Sequence, residues 1–181
     1  MVIEHTPIND LYVIKRKKLE DSRGYFSRFF CLNQLDSYIG NKTIKQINQS
    51  CTKKSGSVRG MHFQSYPNLE MKIVSVIKGE IFDVAVDLRK GSPTFLKTFS
   101  INLSENNMTS LIIPEVFAHG FQTLTDNCEM IYLHTELYSP QSEGSIHFKD
   151  TTLNIKWPLD IVDISDKDLK NPFIDKNFQG I

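Results

Sequence analysis

Along residues 81–88, Ile81-Phe82-Asp83-Val84-Ala85-Val86-Asp87-Leu88, the side chains alternate with a period of two. In a strand, Phe82, Val84, Val86 and Leu88 share one face, and Ile81, Asp83, Ala85 and Asp87 share the other. Two carboxylates on one face allow a solvent-facing side to this strand. The apolar run 71–77 precedes it through Lys78-Gly79-Glu80, the spacing of a glycine-containing hairpin. Further strands are predicted over 98–103, 110–113, 119–124 and 129–135. In the last, Met130, Tyr132 and His134 face away from Ile131 and Leu133. One helix is predicted where Leu32, Leu35, Tyr38 and Ile39 form an apolar stripe, with Asn33 as cap and Gly40 as stop. Many short strands with turns every 8–12 residues and little helix describe an all-β sandwich or barrel, and within that class a jelly roll with short peripheral helices.

Composition narrows the function classes. The 181 residues hold 21 Lys+Arg against 21 Asp+Glu, a formal charge of zero. That balance argues against nonspecific nucleic-acid or anionic-membrane binding, while leaving room for a local basic pocket that takes one phosphorylated ligand. Apolar residues at 40% suffice for a core, and 9 Gly with 7 Pro are too few for a low-complexity chain. No repeat, linker or compositional break appears, so residues 1–181 read as one domain. Cys31, Cys51 and Cys128 are odd in number and lack a CxxC spacing, against a disulfide scaffold or a structural zinc site. No apolar run approaches the ~20 residues of a membrane span, and the N-terminus lacks a signal-peptide pattern, so a reducing cytoplasm is expected.

Five polar segments carry candidate chemistry: Asp21-Ser22-Arg23-Gly24-Tyr25-Phe26, Gln46-Ile47-Asn48-Gln49-Ser50, Val58-Arg59-Gly60-Met61-His62-Phe63-Gln64, the stretch 112–121 around Pro114 and His119, and Ser165-Asp166-Lys167-Asp168. Together with Lys72 and Tyr132 they supply imidazoles, carboxylates, a phenol, an ammonium and two guanidiniums. Such groups suit proton transfer beside a carbonyl in a phosphorylated ligand. The basic run Lys15-Arg16-Lys17-Lys18 reads as a solvated strand end.

In this order, from about Asp21 to Asp168, the segments resemble the dTDP-4-dehydrorhamnose 3,5-epimerase family. The most specific stretches are 57–64, 82–94, 113–121 and the pair Trp157-Pro158. The resemblance implies a cupin-type jelly roll, usually a homodimer. The implied substrate is a nucleotide-linked 4-keto-6-deoxyhexose, inverted at C3 and C5 through an enolate with neither cofactor nor metal. It also implies His62 as base, Asp168 as its carboxylate partner, Tyr132 as acid, and Lys72 and His119 near the keto oxygen. Arg23, Gln46, Asn48, Arg59, Glu143 and Lys167 fall on substrate-binding positions, Arg59 at the diphosphate and Arg23 there or across a subunit boundary. Asp83 matches a position that supports a site histidine, and reads equally as a buried structural carboxylate.

Departures leave alternatives open. Arg28 stands where the family has a glutamate that contacts the nucleoside, which admits a different base, as in a CDP-sugar. Leu133 and His134 depart near the sugar site, which admits inversion at C3 or C5 alone. A metal-dependent cupin oxygenase would have to assemble its ligands from His62, Gln64, Glu70 and His119. A noncatalytic sugar-binding cupin would be expected to lack the proton-transfer set.

Overall fold

The computed structural model describes residues 1–181. Thirteen strands and two helices follow one another as β1 (Val2–His5), β2 (Tyr12–Lys15), β3 (Lys18–Asp21), β4 (Gly24–Ser27), α1 (Leu32–Ile39), β5 (Gln46–Thr52), β6 (Val58–Gln64), β7 (Lys72–Lys78), β8 (Glu80–Asp87), β9 (Thr98–Ser104), β10 (Thr109–Ile113), β11 (Phe117–Thr123), β12 (Cys128–His134), β13 (Glu143–Ser145) and α2 (Asp166–Leu169). A six-stranded sheet in the order β1-β2-β10-β7-β12-β5 faces a five-stranded sheet in the order β13-β6-β11-β8-β9, and β3 with β4 forms a separate hairpin. All these strand pairs are antiparallel, so the expected jelly-roll sandwich is the fold observed.

The central strands of both sheets are covered on both faces. Between them lie Val13, Val74, Val76, Leu111, Ile113 and Met130 from one sheet against Ile81, Ala85, Leu103, Phe117 and Phe121 from the other. Outside the six-stranded sheet, Ile14, Ile73, Ile112 and Leu133 pack under Leu35 and Ile39 of α1. Outside the five-stranded sheet, Met61, Val84, Val86 and Ala118 are covered by Ile146, Leu153 and Trp157. Each fully buried aliphatic side chain contributes about 1.5–3 kcal/mol. Double coverage explains why β10 and β11 are buried along their whole length. It also removes the solvent-facing side suggested for residues 81–88, since Asp83 and Asp87 are both fully buried.

Three other local expectations change. The chain makes no hairpin at Lys78-Gly79-Glu80, because β7 pairs with β10 and β12 while β8 pairs with β11 and β9. Gly79, at φ +79°, instead carries the chain from one sheet to the other, and a Cβ there would lie 2.6 Å from Thr125 Oγ1. Each strand already has two neighbours in its own sheet, β7 between β10 and β12 and β8 between β11 and β9, so neither has an edge left for the other. Helix α1 begins two residues earlier than an Asn33 cap requires: Cys31 is the N-cap, without a side-chain cap bond, and Gly40 ends the helix as expected. The basic run is not simply solvated, for the Arg16 guanidinium lies 4.5 Å from the centre of the Phe29 ring and its Nε is buried.

Candidate active site

A cavity of about 660 Å³ opens between the two sheets, where the inner-face positions of β5, β7 and β12 meet those of β6 and β11. On β6 the strand period is broken to good effect. His119 pairs with His62 and Phe121 with Arg59, so three steps on β6 answer two on β11. The extra residue of this bulge puts Arg59 and His62 on the same side, facing the cavity. Gly60 sits at the bulge with φ +115°, and a Cβ there would lie 2.6 Å from Gly120 Cα, closer than any side chain tolerates.

Helix α2 supplies the carboxylate for this imidazole. Ser165 caps the helix by accepting from the Asp168 N–H at 3.1 Å. Asp168 Oδ1 lies 2.7 Å from His62 Nε2, and its Oδ2 accepts the Gly60 N–H at 3.2 Å. Burial alone would raise the Asp168 pKa, but the bonds from His62 and Gly60 outweigh it and hold the carboxyl below its usual range. Beside this pair, His119 Nε2 lies 2.7 Å from Asp83 Oδ1, with both side chains buried. Asp83 Oδ2 is buried and unpartnered.

The six-stranded sheet contributes the opposite wall. Tyr132 points inward from β12, its hydroxyl 3.1 Å from Ser50 Oγ on β5. Burial pushes its phenol pKa up to about 12, with Asp83 adding to the rise and Ser50 and Arg59 opposing it. One residue pair nearer the rim, Lys72 Nζ and His134 Nδ1 both reach the Glu70 carboxylate at 2.8 Å. Burial would raise Glu70, but the bond from His134 and the charge of Lys72 hold it down at about 2.

A family model for dTDP-4-dehydrorhamnose 3,5-epimerase matches residues 5–176. The family is settled by that span. The chain belongs to the dTDP-4-dehydrorhamnose 3,5-epimerase family. A curated relative of that name from Salmonella typhimurium is 42% identical over 178 residues, covering 97% of each chain. Among solved structures, the dTDP-6-deoxy-D-glucose-3,5-epimerase of Legionella pneumophila, in complex with dTDP-4-keto-L-rhamnose, is 38% identical with a TM-score of 0.92, covering 99% of this chain and 97% of that one. A 3'-monoepimerase from Streptomyces bikiniensis in complex with dTDP-quinovose is 27% identical with a TM-score of 0.86, covering 93% of this chain and 85% of that one. The sandwich is therefore a cupin-type jelly roll, as the resemblance implied.

Of the residues the epimerase resemblance selected, Asn48, Arg59, His62, Lys72, His119, Tyr132, Lys167 and Asp168 line the one cavity. Gln46 stands behind its rim, donating from Nε2 to Asn48 Oδ1 at 3.1 Å. Glu143 lies behind Lys167, whose Nζ reaches both carboxylate oxygens at 2.7 and 2.8 Å. Arg23 is not brought to this cavity. It sits at the tip of the β3–β4 hairpin, 87% exposed and paired with Asp21 at 2.6 Å, because the turn projects that tip into solvent. Arg28, just past β4, is also exposed and outside the cavity lining.

The donors invoked for an oxygenase do not converge. His62 and His119 each hold their own carboxylate, Gln64 Nε2 donates to the Asn68 carbonyl at 2.9 Å, and Glu70 serves Lys72 and His134. Sequence reasoning named Glu70 only as a ligand of the oxygenase alternative and His134 by strand face and as a departure near the sugar site, and it gave Ser50 and Ser165 no role of their own within their segments. The available signal was the period of two, which puts Glu70 in phase with Lys72 and His134 in phase with Tyr132.

Proposed function

We propose that this epimerase-family chain inverts C3 and C5 of a nucleotide-linked 4-keto-6-deoxyhexose, of the type dTDP-4-dehydro-6-deoxy-D-glucose to dTDP-4-dehydro-L-rhamnose. The observation that carries the reading is the pairing of walls. A His–Asp pair on the five-stranded side and a phenol on the six-stranded side face one cavity. A sugar ring seated between them presents one face to each.

His62 takes the proton from C3 or C5, and the electron pair moves into the C4 carbonyl to give an enolate with its charge on O4. Asp168, held low in pKa, stays anionic and stabilises the imidazolium that forms. Lys72 and His119 face O4, where a cation or donor aimed at the developing oxyanion contributes about 3 kcal/mol. Tyr132 returns a proton to carbon from the opposite face. A buried phenol of high pKa is fully protonated at neutral pH, and the α-carbon of a ketone is a weaker acid still, so the transfer runs downhill.

Arg59 takes the diphosphate. Its Nε donates to Thr52 Oγ1 at 3.0 Å, which orients the guanidinium and leaves other N–H donors open for bidentate pairing with phosphate oxygens. Asn48, Gln46, Lys167 and Glu143 complete the substrate shell from the rim. We assign Arg23 to the cavity of a second copy in a homodimer, a reading supported by the exposed Tyr25 and Phe26 on the same hairpin.

Residues 1–181 act as one domain in this scheme, a reading favoured by the return of Ile181 to pair with Leu88 and Lys90. Three free cysteines favour a reducing cytoplasm. No helix is long and apolar enough to cross a membrane.

The test is solvent exchange. In D₂O, the protein with dTDP-4-keto-6-deoxyglucose incorporates deuterium at C3 and C5 by NMR, and His62→Ala abolishes incorporation at both. Retained exchange in His62→Ala overturns the assignment of the base. Exchange and inversion at one carbon only would place the chain with monoepimerases, and turnover of the CDP-linked sugar alone would change the nucleotide.

A further inference from the structure

His62 and His119 account for two of the three histidine–carboxylate pairs around the cavity. The third, His134 with Glu70, has no part in the scheme above. His134 pairs across the sheet with Lys72 on one side and Gln46 on the other, all three on the inner face. Its Nδ1 is 2.8 Å from Glu70 Oε2, while Lys72 Nζ holds the other oxygen of the same carboxylate at 2.8 Å.

The bonding pattern fixes the imidazole. An ionised carboxylate only accepts, so His134 Nδ1 donates to Glu70. On the other side of the ring, Nε2 faces the Asn48 amide nitrogen at 3.4 Å, a donor, while Asn48 Oδ1 accepts from Gln46 Nε2 and Gln46 Oε1 accepts the Tyr138 N–H. The contacts form one series, from the Tyr138 backbone through two amides and the imidazole to Glu70. The His134 ring is further braced by stacking on Tyr132, with centroids 6.1 Å apart. The Lys72, His134 and Glu70 side chains are only 9–11% exposed.

We infer that His134 is a positioning residue: by fixing the Glu70 carboxylate from the side opposite Lys72, it holds the Lys72 ammonium in place against the keto oxygen. The physical case is entropic. A lysine side chain carries four rotatable bonds, and one hydrogen bond to a carboxylate that can itself turn does little to order it. A carboxylate gripped at both oxygens does not turn, so the ammonium is set before the ketone arrives. This inference rests on the proposed role of Lys72.

Substitution at His134 therefore acts on the chemical step rather than on binding. His134→Phe, which keeps a ring of similar size and removes both nitrogens, is expected to lower kcat for inversion about tenfold, with KM changed less than about twofold. His134→Asn, whose amide nitrogen stands near the place of Nδ1, restores most of that loss. In a Lys72→Met background, His134→Phe costs less than about twofold more, because the group it positions is already gone. Full additivity with Lys72→Met, a loss confined to KM, or an Asn variant no better than Phe overturns the inference. If Lys72→Met is too slow to measure, the kcat-against-KM split and the asparagine rescue decide.

If His134→Phe does not fold, as judged by its thermal transition, Glu70→Gln takes its place in the cycle. In Glu70→Gln one of the two oxygens becomes an NH₂ donor, so Lys72 and His134 no longer each hold an acceptor; a loss of about fivefold is expected alone and none in the Lys72→Met background. Absence of exchange in the unaltered protein would instead defeat the epimerase reading itself. Normal exchange with an indifferent His134→Phe would defeat only the positioning role.

Discussion

The six-stranded sheet uses the same three strands to build a sealed core at one end of the sandwich and a polar cleft at the other. Across β7, β12 and β5, the inner-face positions run Val76–Met130–Ser50, then Val74–Tyr132–Asn48, then Lys72–His134–Gln46 at the rim. Two steps along each strand, roughly 7 Å, separate neighbouring rows. The backbone does nothing different from row to row. What changes is the chemistry that faces it from the five-stranded sheet: Ile81, Ala85 and Leu103 in the cluster between the sheets, Arg59, His62 and His119 in the cavity. Site and core are thus one register, filled with different chemistry.

The two ends can be broken separately. The largest effect is expected at the cleft: His62→Ala lowers the rate of solvent exchange by about 10²–10⁴-fold while the thermal transition stays in place. A parallel collapse of stability would mean the imidazole is a core residue. At the sealed end, Leu111→Ala removes a fully buried side chain from the middle of the inter-sheet cluster. It is expected to cost about 2–5 kcal/mol in denaturant unfolding while the folded fraction keeps normal kcat. A loss of kcat without a loss of stability would show that the two ends are not independent.

Between them stands Tyr132, in the row where core and cleft meet. Tyr132→Phe is expected to slow inversion about 10²-fold while slowing isotope loss from C3 and C5 much less, since it spares the first proton removal. Equal losses would remove the phenol as acid.

Acid separates the ends more gently. Glu70 titrates at about 2 in the folded protein against about 4.5 in an open chain. A depressed carboxyl contributes stability in full above its unfolded value, and that contribution fades as pH falls from about 4.5 towards 2. The gap in unfolding free energy between the unaltered protein and Glu70→Gln is therefore expected to narrow over this range, by an amount on the order of 3 kcal/mol. A gap independent of pH would mean the carboxylate is not paired. The smallest change is expected at exposed Arg28, where Arg28→Glu shifts stability by less than about 0.5 kcal/mol. Its value lies in the comparison of dTDP- and CDP-linked substrates.

Which strands exist, and which residues share a face, was readable wherever the period of two ran unbroken, as in β8 and β12. Sheet membership was not. Lys78-Gly79-Glu80 looks the same whether the chain reverses within a sheet or crosses to the facing one, and only the long-range pairing of the two flanking strands decides between them. The same limit applied to the site. His62, Tyr132 and Asp168 were picked out by the family resemblance, which ordered local segments carry. His134 beside Lys72 is a product of strand pairing across 62 residues of chain, and nothing in either neighbourhood announces it. Arg23 shows a related limit: it stands at a hairpin tip outside this chain's cavity, and its motif says nothing of where that hairpin projects.

The crossing of Gly60 and Gly120 has a consequence for how this protein can vary. A methyl group on Gly60 would strike the Gly120 main chain, and one on Gly120 would land 2.5 Å from Met61 Sδ. Alanine at either place would wedge two neighbouring strands apart and swing an imidazole away from its aspartate. Two absent carbons thus set how much sequence drift the chemistry can survive.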